Sequence, residues 1–336
     1  MAPRHILITG GTGFIGARVT ALLTSENRRS PRPALRLLAH RSRPELPRTD
    51  QVEIRRGSLD DPASLRGLCD GVDTVLHLAS QIGGSPRQCQ AVNDVGTGAL
   101  LAEAERSGVR RIIQLGTTAV YRDGRHVGLA EGELPLGPGS PTSITRLAGE
   151  QRWLAAGGLV LRPHLVYGPG DMWVVPAMAQ FMKALPHWVD GGRALMTVIG
   201  VDDLARVIAA LALRPELPTS QALHVGRPDP VTGHELFTAA ARALDLPLPA
   251  GEVSHAQAGV WPGTRDDPGW QRRLSLLTVD HWYDTSRLWQ LLDATPAADF
   301  AEDFGRAAGW YRSYLAGQEA GVSAPTRTAA AARSAG

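Results

Sequence analysis

The chain has 336 residues, of which 43% are hydrophobic and 20% charged, and its formal net charge is +2. That length holds one large domain or two moderate ones. The charge is too small to mark a nucleic-acid or membrane-surface binder, and no apolar run approaches the roughly 18 residues that span a bilayer.

The opening segment, MAPRHILITGG, passes straight into a strand pattern without a secretory apolar region. HILITG (5–10) predicts the first strand, and the following FIGARVTALLTSE repeats Ile15, Val19, Leu22 and Leu23 at helical spacing. ALRLLAH (34–40) and VEIRRG (52–57) predict the second and third strands. VDTVLHLAS (72–80), VRRIIQLGTT (109–118) and GLVLRPHLVYG (158–168) predict the next ones, with helices over 91–107 and 141–156 among them. Strands alternating with helices predict an α/β fold whose parallel sheet is covered on both faces. Asp202 and Asp203 open a further helix, VDDLARVIAAL, where they read as its cap. Residues 255–282 are rich in Trp, Gly and charge and suggest a lid. The small, polar end, 321–336, reads as a disordered tail. Cys69 and Cys89 have no metal or redox spacing and read as reduced packing residues. A cytoplasmic enzyme without a metal is the class this composition favours.

ITGGTGFIGARV follows the first strand and opens the first helix. It sets Gly10, Gly13 and Gly16 in a G-x-x-G-x-x-G arrangement, with Thr12, Phe14 and Ile15 between them. Glycines let the backbone turn sharply and approach a pyrophosphate, whose charge the helix N-terminus then holds. A glycine triplet alone can be a plain tight turn; the strand–turn–helix context makes it a dinucleotide site. The second strand ends in LLAHRSR, offering His40, Arg41 and Arg43 with no carboxylate until Glu45. A guanidinium suits a 2′-phosphate better than a ribose diol. That favours NADPH over NADH, with Arg41 as the main phosphate contact, although the same arginines also fit a solvated surface.

Together with VDTVLHLAS, QLGTTAVY, LRPHLVYGPGD (161–171), VIGVDDLARVI (198–208), YDTSRLWQLLDATP and GWYRSYL, this loop makes the chain resemble the extended short-chain dehydrogenase/reductases. That group contains the NAD-dependent sugar-nucleotide epimerases and dehydratases, and the resemblance runs over roughly residues 4–316. It implies a doubly wound Rossmann domain from 1–166 with 194–228 and a smaller C-terminal substrate domain from 167–193 with 229–316. The active site would lie between them, with 317–336 as a tail. By the same resemblance Ser58 and Leu59 lie near the adenine, although the family commonly has Asp at the first of these. Leu78, Ala79 and Ser80 line the cofactor groove, and Pro163 approaches the nicotinamide. Thr117, four residues before Tyr121, takes the catalytic Ser/Thr position, where its hydroxyl polarises a substrate carbonyl.

The family's catalytic helix reads Y-x-x-x-K. Aligning LAGE (147–150) puts Thr142 where Tyr belongs and Arg146 where Lys belongs. The spacing of four keeps both on one helix face, so the geometry survives while the chemistry changes. Tyrosine with a nearby ammonium is an adequate acid for the alkoxide left by hydride transfer. A threonine hydroxyl is far weaker, and arginine holds its proton at any working pH. Arg146 therefore anchors the cofactor ribose or balances charge, and Thr142 is at best a relay.

Three readings stay open. A ketoreductase can take its proton from water, from a Thr142/Thr117 relay, or from an acidic group on the substrate, such as a phenol beside the ketone. General acid catalysis contributes about 10²–10⁴ in rate, and positioning and electrostatics at least as much. A sugar-nucleotide epimerase or dehydratase is the second reading. It is weakened because Leu165 stands where the family's R-P-x-N-V-Y-G stretch uses Asn, in Arg162-Pro163-His164-Leu165-Val166-Tyr167-Gly168. Non-catalytic NADP(H) binding is the third. The missing Tyr/Lys pair makes the chain similar to the atypical, simocyclinone-type ketoreductases of aromatic polyketide antibiotic biosynthesis. The expected substrate is therefore a small hydrophobic, aromatic ketone, and the protein a monomer or homodimer. Gln81 and Gly83, with Gly84, are candidate substrate contacts in the loop after the fourth strand. Tyr121 is a candidate replacement acid and His164 a candidate donor to a substrate oxygen. Trp173, Trp188, Trp261, Trp270 and Trp282 fit either core or a stacking platform for a planar ligand.

Overall fold

The computed structural model describes residues 4–25, 33–40, 51–264, 267 and 269–319. The first half runs β1 (His5–Thr9), α1 (Phe14–Ser25), β2 (Ala34–Ala39), β3 (Val52–Arg56), β4 (Thr74–His77), α2 (Pro86–Gln90), α3 (Thr97–Arg106), β5 (Arg111–Leu115), β6 (His126–Leu129) and α4 (Pro141–Ala155). It continues through β7 (Leu159–Pro163), β8 (Leu165–Tyr167), α5 (Val174–Ala184), β9 (Trp188–Val189), β10 (Leu195–Met196), β11 (Val198–Gly200), α6 (Val201–Leu213) and β12 (Gln221–Val225). The last part is β13 (Val231–Thr232), α7 (Gly233–Leu244), β14 (Glu252–Val253), α8 (His255–Gly259), α9 (Trp270–Thr278), β15 (His281–Tyr283), α10 (Ser286–Leu292) and α11 (Phe300–Glu319).

Seven strands form one parallel sheet in the order β12-β7-β5-β4-β1-β2-β3. Ile6, Leu7 and Ile8 are each fully buried, as expected for a strand covered by helices on both faces. One face packs α1 and α6 through Val19, Leu23, Leu204 and Ile208. The other packs α3 and α4 through Leu100, Leu101 and Trp153. This is the doubly wound Rossmann arrangement. Its chain direction across the sheet reverses between β1 and β4, so the carboxyl ends of those strands open the crevice where such folds bind ligands.

A second lobe is built around the sheet β13-β10-β15-β6 and an apolar cluster that includes Phe181, Phe237, Trp270, Leu274 and Tyr311. Two of its strands come from segments that the sequence assigns to the cofactor domain: β6 from within 1–166 and β10 from within 194–228. Conversely, α10 packs Leu288 and Trp289 on the main core.

The structure corrects several local expectations. The segment 158–168 is two strands, because Pro163 offers no N–H to continue the ladder and β8 pairs with β11. The helix expected over 91–107 starts earlier, at a Ser85/Gln88 capping box, and passes through a π-helical stretch, Ala91–Gly96. Gly200, and neither aspartate, is the cap of α6; Asp203 pairs with Arg206 and accepts from the Ala297 amide. The suggested lid is a packed part of the second lobe: Trp270 is 2% exposed and stacks on Phe181 at 5.0 Å. Helix α11 reaches Glu319, and the rest of the expected tail, 320–336, lies outside the described residues.

Candidate active site

The glycine loop has the shape that its spacing predicts. Gly10 takes φ +71°, and a Cβ there would collide with the Leu78–Ala79 backbone at the end of β4. A Cβ on Gly16 would overlap the Gly10 carbonyl oxygen, and one on Gly13 would come within 3.0 Å of it. The Gly13 amide donates to that same oxygen at 2.8 Å, tightening the turn that carries Thr12. Phe14 and Ile15 open α1; Ile15 packs on the main core, and the Phe14 ring lies under Gly170. Bare backbone at the N-terminus of a helix, at the crevice of a doubly wound sheet, fits a dinucleotide pyrophosphate. Leu78 and Ala79 are fixed to the same turn, since the Leu78 amide donates to the Thr9 carbonyl and the Ala79 amide to the Thr9 hydroxyl.

On the adenosine side, Arg41 lies outside the described residues, as do Arg43 and Glu45. His40 is exposed, and its carbonyl accepts from Arg56 Nη1 at 3.4 Å. Arg56 is a cation that the sequence reading overlooked. The parallel register Ala39↔Arg56 brings it to the end of β2. Ser58 and Leu59 follow it, with the Ser58 hydroxyl donating to Asp60 and Leu59 buried against Gly96.

Along the groove, Asn93 ties down the segment after β4. Its Oδ1 accepts from the Gln81 amide at 2.8 Å and the Ser80 hydroxyl at 3.3 Å, and its Nδ2 donates to the Gln81 carbonyl and Thr145. Asn93 is 4% exposed, and nothing in the sequence singled out this anchor of the groove wall. Thr142 closes the far end of this loop. Its oxygen accepts from the Gly83 amide at 3.3 Å and lies 3.6 Å from Cys89 Sγ, while the Cys89 thiol donates to the Gly83 carbonyl at 3.4 Å. Cysteine has one proton, so the Thr142 hydroxyl is the donor to sulfur. The three groups form a closed ring that engages the Thr142 proton.

Arg146, one turn on, donates from Nη2 to the carbonyls of Gly116 (2.8 Å) and Leu115 (3.3 Å) at the end of β5. Burial lowers its pKa to about 10 and the Glu150 carboxylate opposes that, so it remains a cation at neutral pH. Thr117 sits above these carbonyls. Its oxygen accepts from the Ala119 amide at 3.2 Å, and no bond among the described residues engages its proton.

Tyr121 is not placed to be an acid. It is 2% exposed, accepts from Arg162 Nη1 at 2.8 Å, and therefore donates to His224 Nε2 at 2.6 Å, away from the groove. His224 Nδ1 in turn donates to the Asp284 carbonyl. Arg162 is paired with buried Glu150, so this is a charged structural network beneath the site. The expectation of Tyr121 as a substrate contact is corrected on that ground. Pro163 is buried at the end of β7, beside β5, and His164 follows it. His164 is half-buried; its Nδ1 bonds Thr118 Oγ1 at 2.9 Å, and its ring stacks on His281 at 5.3 Å. Burial holds its imidazole neutral, well below the ordinary histidine range. Thr117, Arg146 and His164 thus converge on the carboxyl ends of β5 and β7, while Thr142, Gln81 and Gly83 form one wall of the groove.

The model of the NAD dependent epimerase/dehydratase family matches residues 6–226. The chain belongs to that family. As a member, it is an NAD(P)-dependent enzyme of the oxidoreductase type. The 2-alkyl-3-oxoalkanoate reductase of Stenotrophomonas maltophilia is 30% identical over 83% of this chain and 90% of its own length. A dTDP-glucose 4,6-dehydratase of an Actinoplanes species is 27% identical over 92% of this family member and 98% of its own length. Among solved structures, the UDP-glucose 4-epimerase of Thermotoga maritima superposes with a TM-score of 0.70 at 19% identity. It covers 93% of this chain and 99% of its own, and at that identity it shows the fold alone. Among the described residues, no helix is long and apolar enough to cross a membrane, and no cluster of His, Cys, Asp and Glu could hold a metal ion.

Proposed function

We propose that this family member is an NADPH-dependent reductase of a hydrophobic ketone. One observation carries the reading: the two positions that normally hold the proton-relaying pair are both engaged by backbone. Thr142 is closed in its ring with Gly83 and Cys89, and Arg146 rests on the carbonyls of residues 115 and 116. Epimerases and dehydratases cycle a base reversibly, which this arrangement does not offer. A one-way reduction needs only a polarised carbonyl and a proton from elsewhere.

NADPH, when bound, supplies the hydride. Gly10, Gly13 and Gly16 would cradle its pyrophosphate, Arg41 and Arg56 its 2′-phosphate, and Arg146 its ribose. Thr117 donates to the ketone oxygen and stabilises the charge that develops there. The proton reaches that oxygen from water or from an acidic group of the substrate itself. Leu165, packed with the second lobe's apolar cluster, replaces a polar contact at the mouth of that lobe and favours an apolar substrate body. The likeness to a 2-alkyl-3-oxoalkanoate reductase supports the same class. Aromatic polyketide ketones are the narrower class proposed on the missing Tyr/Lys pair.

The test is NADPH consumption with 2-alkyl-3-oxoalkanoates and with aromatic polyketide ketones, set beside product analysis of dTDP-glucose and UDP-glucose incubated with the chain and NAD⁺, since conversion of a sugar nucleotide returns the hydride and leaves no net cofactor change. Turnover of either ketone class supports the reading, and turnover of the sugar nucleotides alone overturns it. The likeness to a dTDP-glucose dehydratase keeps sugar-nucleotide chemistry as the second reading. Replacement of NADPH by NADH, and an Arg56→Ala variant, report the coenzyme preference.

A further inference from the structure

The second lobe holds a pocket of about 340 Å³, separate from the groove residues described above. Phe181, Met182 and Leu185 at the far end of α5 line it, with Phe237 of α7 and Leu277 of α9. Among the described residues on its wall, His187, Trp188 and Thr278 bring the only side-chain nitrogen or oxygen atoms. The Thr278 hydroxyl donates to the Leu274 carbonyl at 2.7 Å, and the Trp188 ring stacks on His234 at 4.4 Å. His187 Nδ1 is buried and has no hydrogen bond among the described residues. No lysine or arginine lines the pocket, so a diphosphate would find no counter-charge there. A nucleotide in this space would also leave most of its own polar groups unpaired.

The chain itself relates the pocket to the site. Helix α5 begins just after Gly170, which packs on Phe14 of the glycine loop, so its last turn stands roughly 10–15 Å further along the helix axis. Ala194 and Thr278 on the pocket wall lead into β10 and β15, where Met196 pairs with His281, and His281 stacks on His164 at 5.3 Å.

We propose that this pocket takes an unbranched alkyl tail of the substrate whose ketone meets Thr117. The proposal rests on the ketone reading for the owner of the tail; the apolar wall is independent of that reading. Each buried methylene tightens binding about threefold to fourfold and asks for no polar partner. The space holds at most about ten methylene-sized groups, each counted at roughly the 30 Å³ of a water. It is narrow, so it admits a chain with its walls in place, whereas fused rings would push on Phe181 and Phe237. Of the two ketone classes named above, the alkyl one carries such a tail. The unpaired His187 nitrogen offers one place for a water or a single polar substituent, and not the several that a nucleotide needs.

The experiment measures the binding of methyl 3-oxoalkanoates, lengthened two carbons at a time, to the NADP⁺-loaded full chain by calorimetry. Turnover of the same esters is read by NADPH loss. Affinity should rise about threefold to fourfold per methylene and level off after no more than about ten. α-Tetralone should bind at least about tenfold more weakly than the ester of equal carbon count, and dTDP should not displace the long esters. Ala194→Leu enlarges the wall and should bring the plateau to shorter tails; Leu277→Ala enlarges the space and should move it to longer ones. Wild-type NADP⁺ affinity in each variant shows that the fold is kept, and the wild-type series decides the matter without either. Affinity that ignores tail length, tighter binding of α-tetralone, displacement by dTDP, or an unmoved plateau in both variants would each overturn the proposal. Tail-dependent binding with no NADPH consumption by any ketone would sink the reductase reading alone. NADPH consumption with binding indifferent to tail length would sink the pocket assignment alone.

Discussion

Thr117, Thr142 and Arg146 stand within one short stretch of space, yet their hydroxyls and guanidinium do different work. Thr117 has a proton to donate, and removing a donor to a developing oxyanion costs about 10²–10³ in kcat. Thr117→Val should therefore lose activity on that order while still binding cofactor. Thr142→Val deletes a latch and no acid, so kcat should stay within about tenfold of wild type, with Thr142→Ser indistinguishable from it. A fall in kcat of several orders in Thr142→Val would show that this hydroxyl delivers the proton. The residue-level pattern was legible where identity alone dictates geometry, as at Gly10, Gly13 and Gly16. It was not legible at Tyr121, whose partners Arg162 and His224 lie 41 and 103 residues away. No local spacing reports a contact that the tertiary fold alone creates.

At the level of elements, the C-terminal helix reaches back to the segment after β8. Tyr311 donates to buried Asp171 at 3.0 Å and accepts from the Gly168 amide at 2.7 Å, and Tyr167 donates to Asp303 at 2.7 Å. Asp171 in turn accepts three amides, Trp173, Val174 and Val175, at the start of α5. An anion there offsets the positive end of the helix. Tyr311→Phe strips both the amide and the carboxylate of a partner and should lower unfolding free energy by about 1–3 kcal/mol, measured by denaturant titration. A cost near zero would mean that water replaces the phenol. Gly149→Ala in α4 should be worse tolerated, since a Cβ there would overlap the Asn93 backbone carbonyl, which has no rotamer to swing aside. Strand and helix alternation was readable from apolar periodicity. The break at His164 and the early start of α2 were not, because each depends on where the ladder partner or capping side chain lies.

Across the whole molecule, several imidazoles are folded in their neutral form. Burial lowers the pKa of His77 to about 3 and of His224 to about 4, each helped by a nearby arginine. Both lie below the ~6.5 of an unfolded histidine, so the unfolded chain binds more protons between those values. Stability should therefore be full above that upper value and fall as the solution is acidified through it. At about pH 5 the loss approaches 2 kcal/mol for each such imidazole. Denaturation midpoints at neutral and mildly acidic pH check this, and a flat profile would mean that these rings take up protons as readily in the fold as in the unfolded chain. The parallel sheet and its crevice were foreseeable from the order of motifs, whereas the division of the chain between lobes was not. Short strands such as β6 and β10 carry too few residues to declare a side.

The placement of β6 has a practical corollary for anyone recombining such enzymes. His126–Leu129 runs alongside β15, some 150 residues further along the chain, and supplies the border of the substrate-lobe sheet. A chimera spliced once, after residue 166, would graft the late segments of one parent onto a border strand from the other. Shuffling at that junction should yield aggregating hybrids unless 126–129 travels with its partner, as a bare strand edge invites pairing with a neighbouring chain.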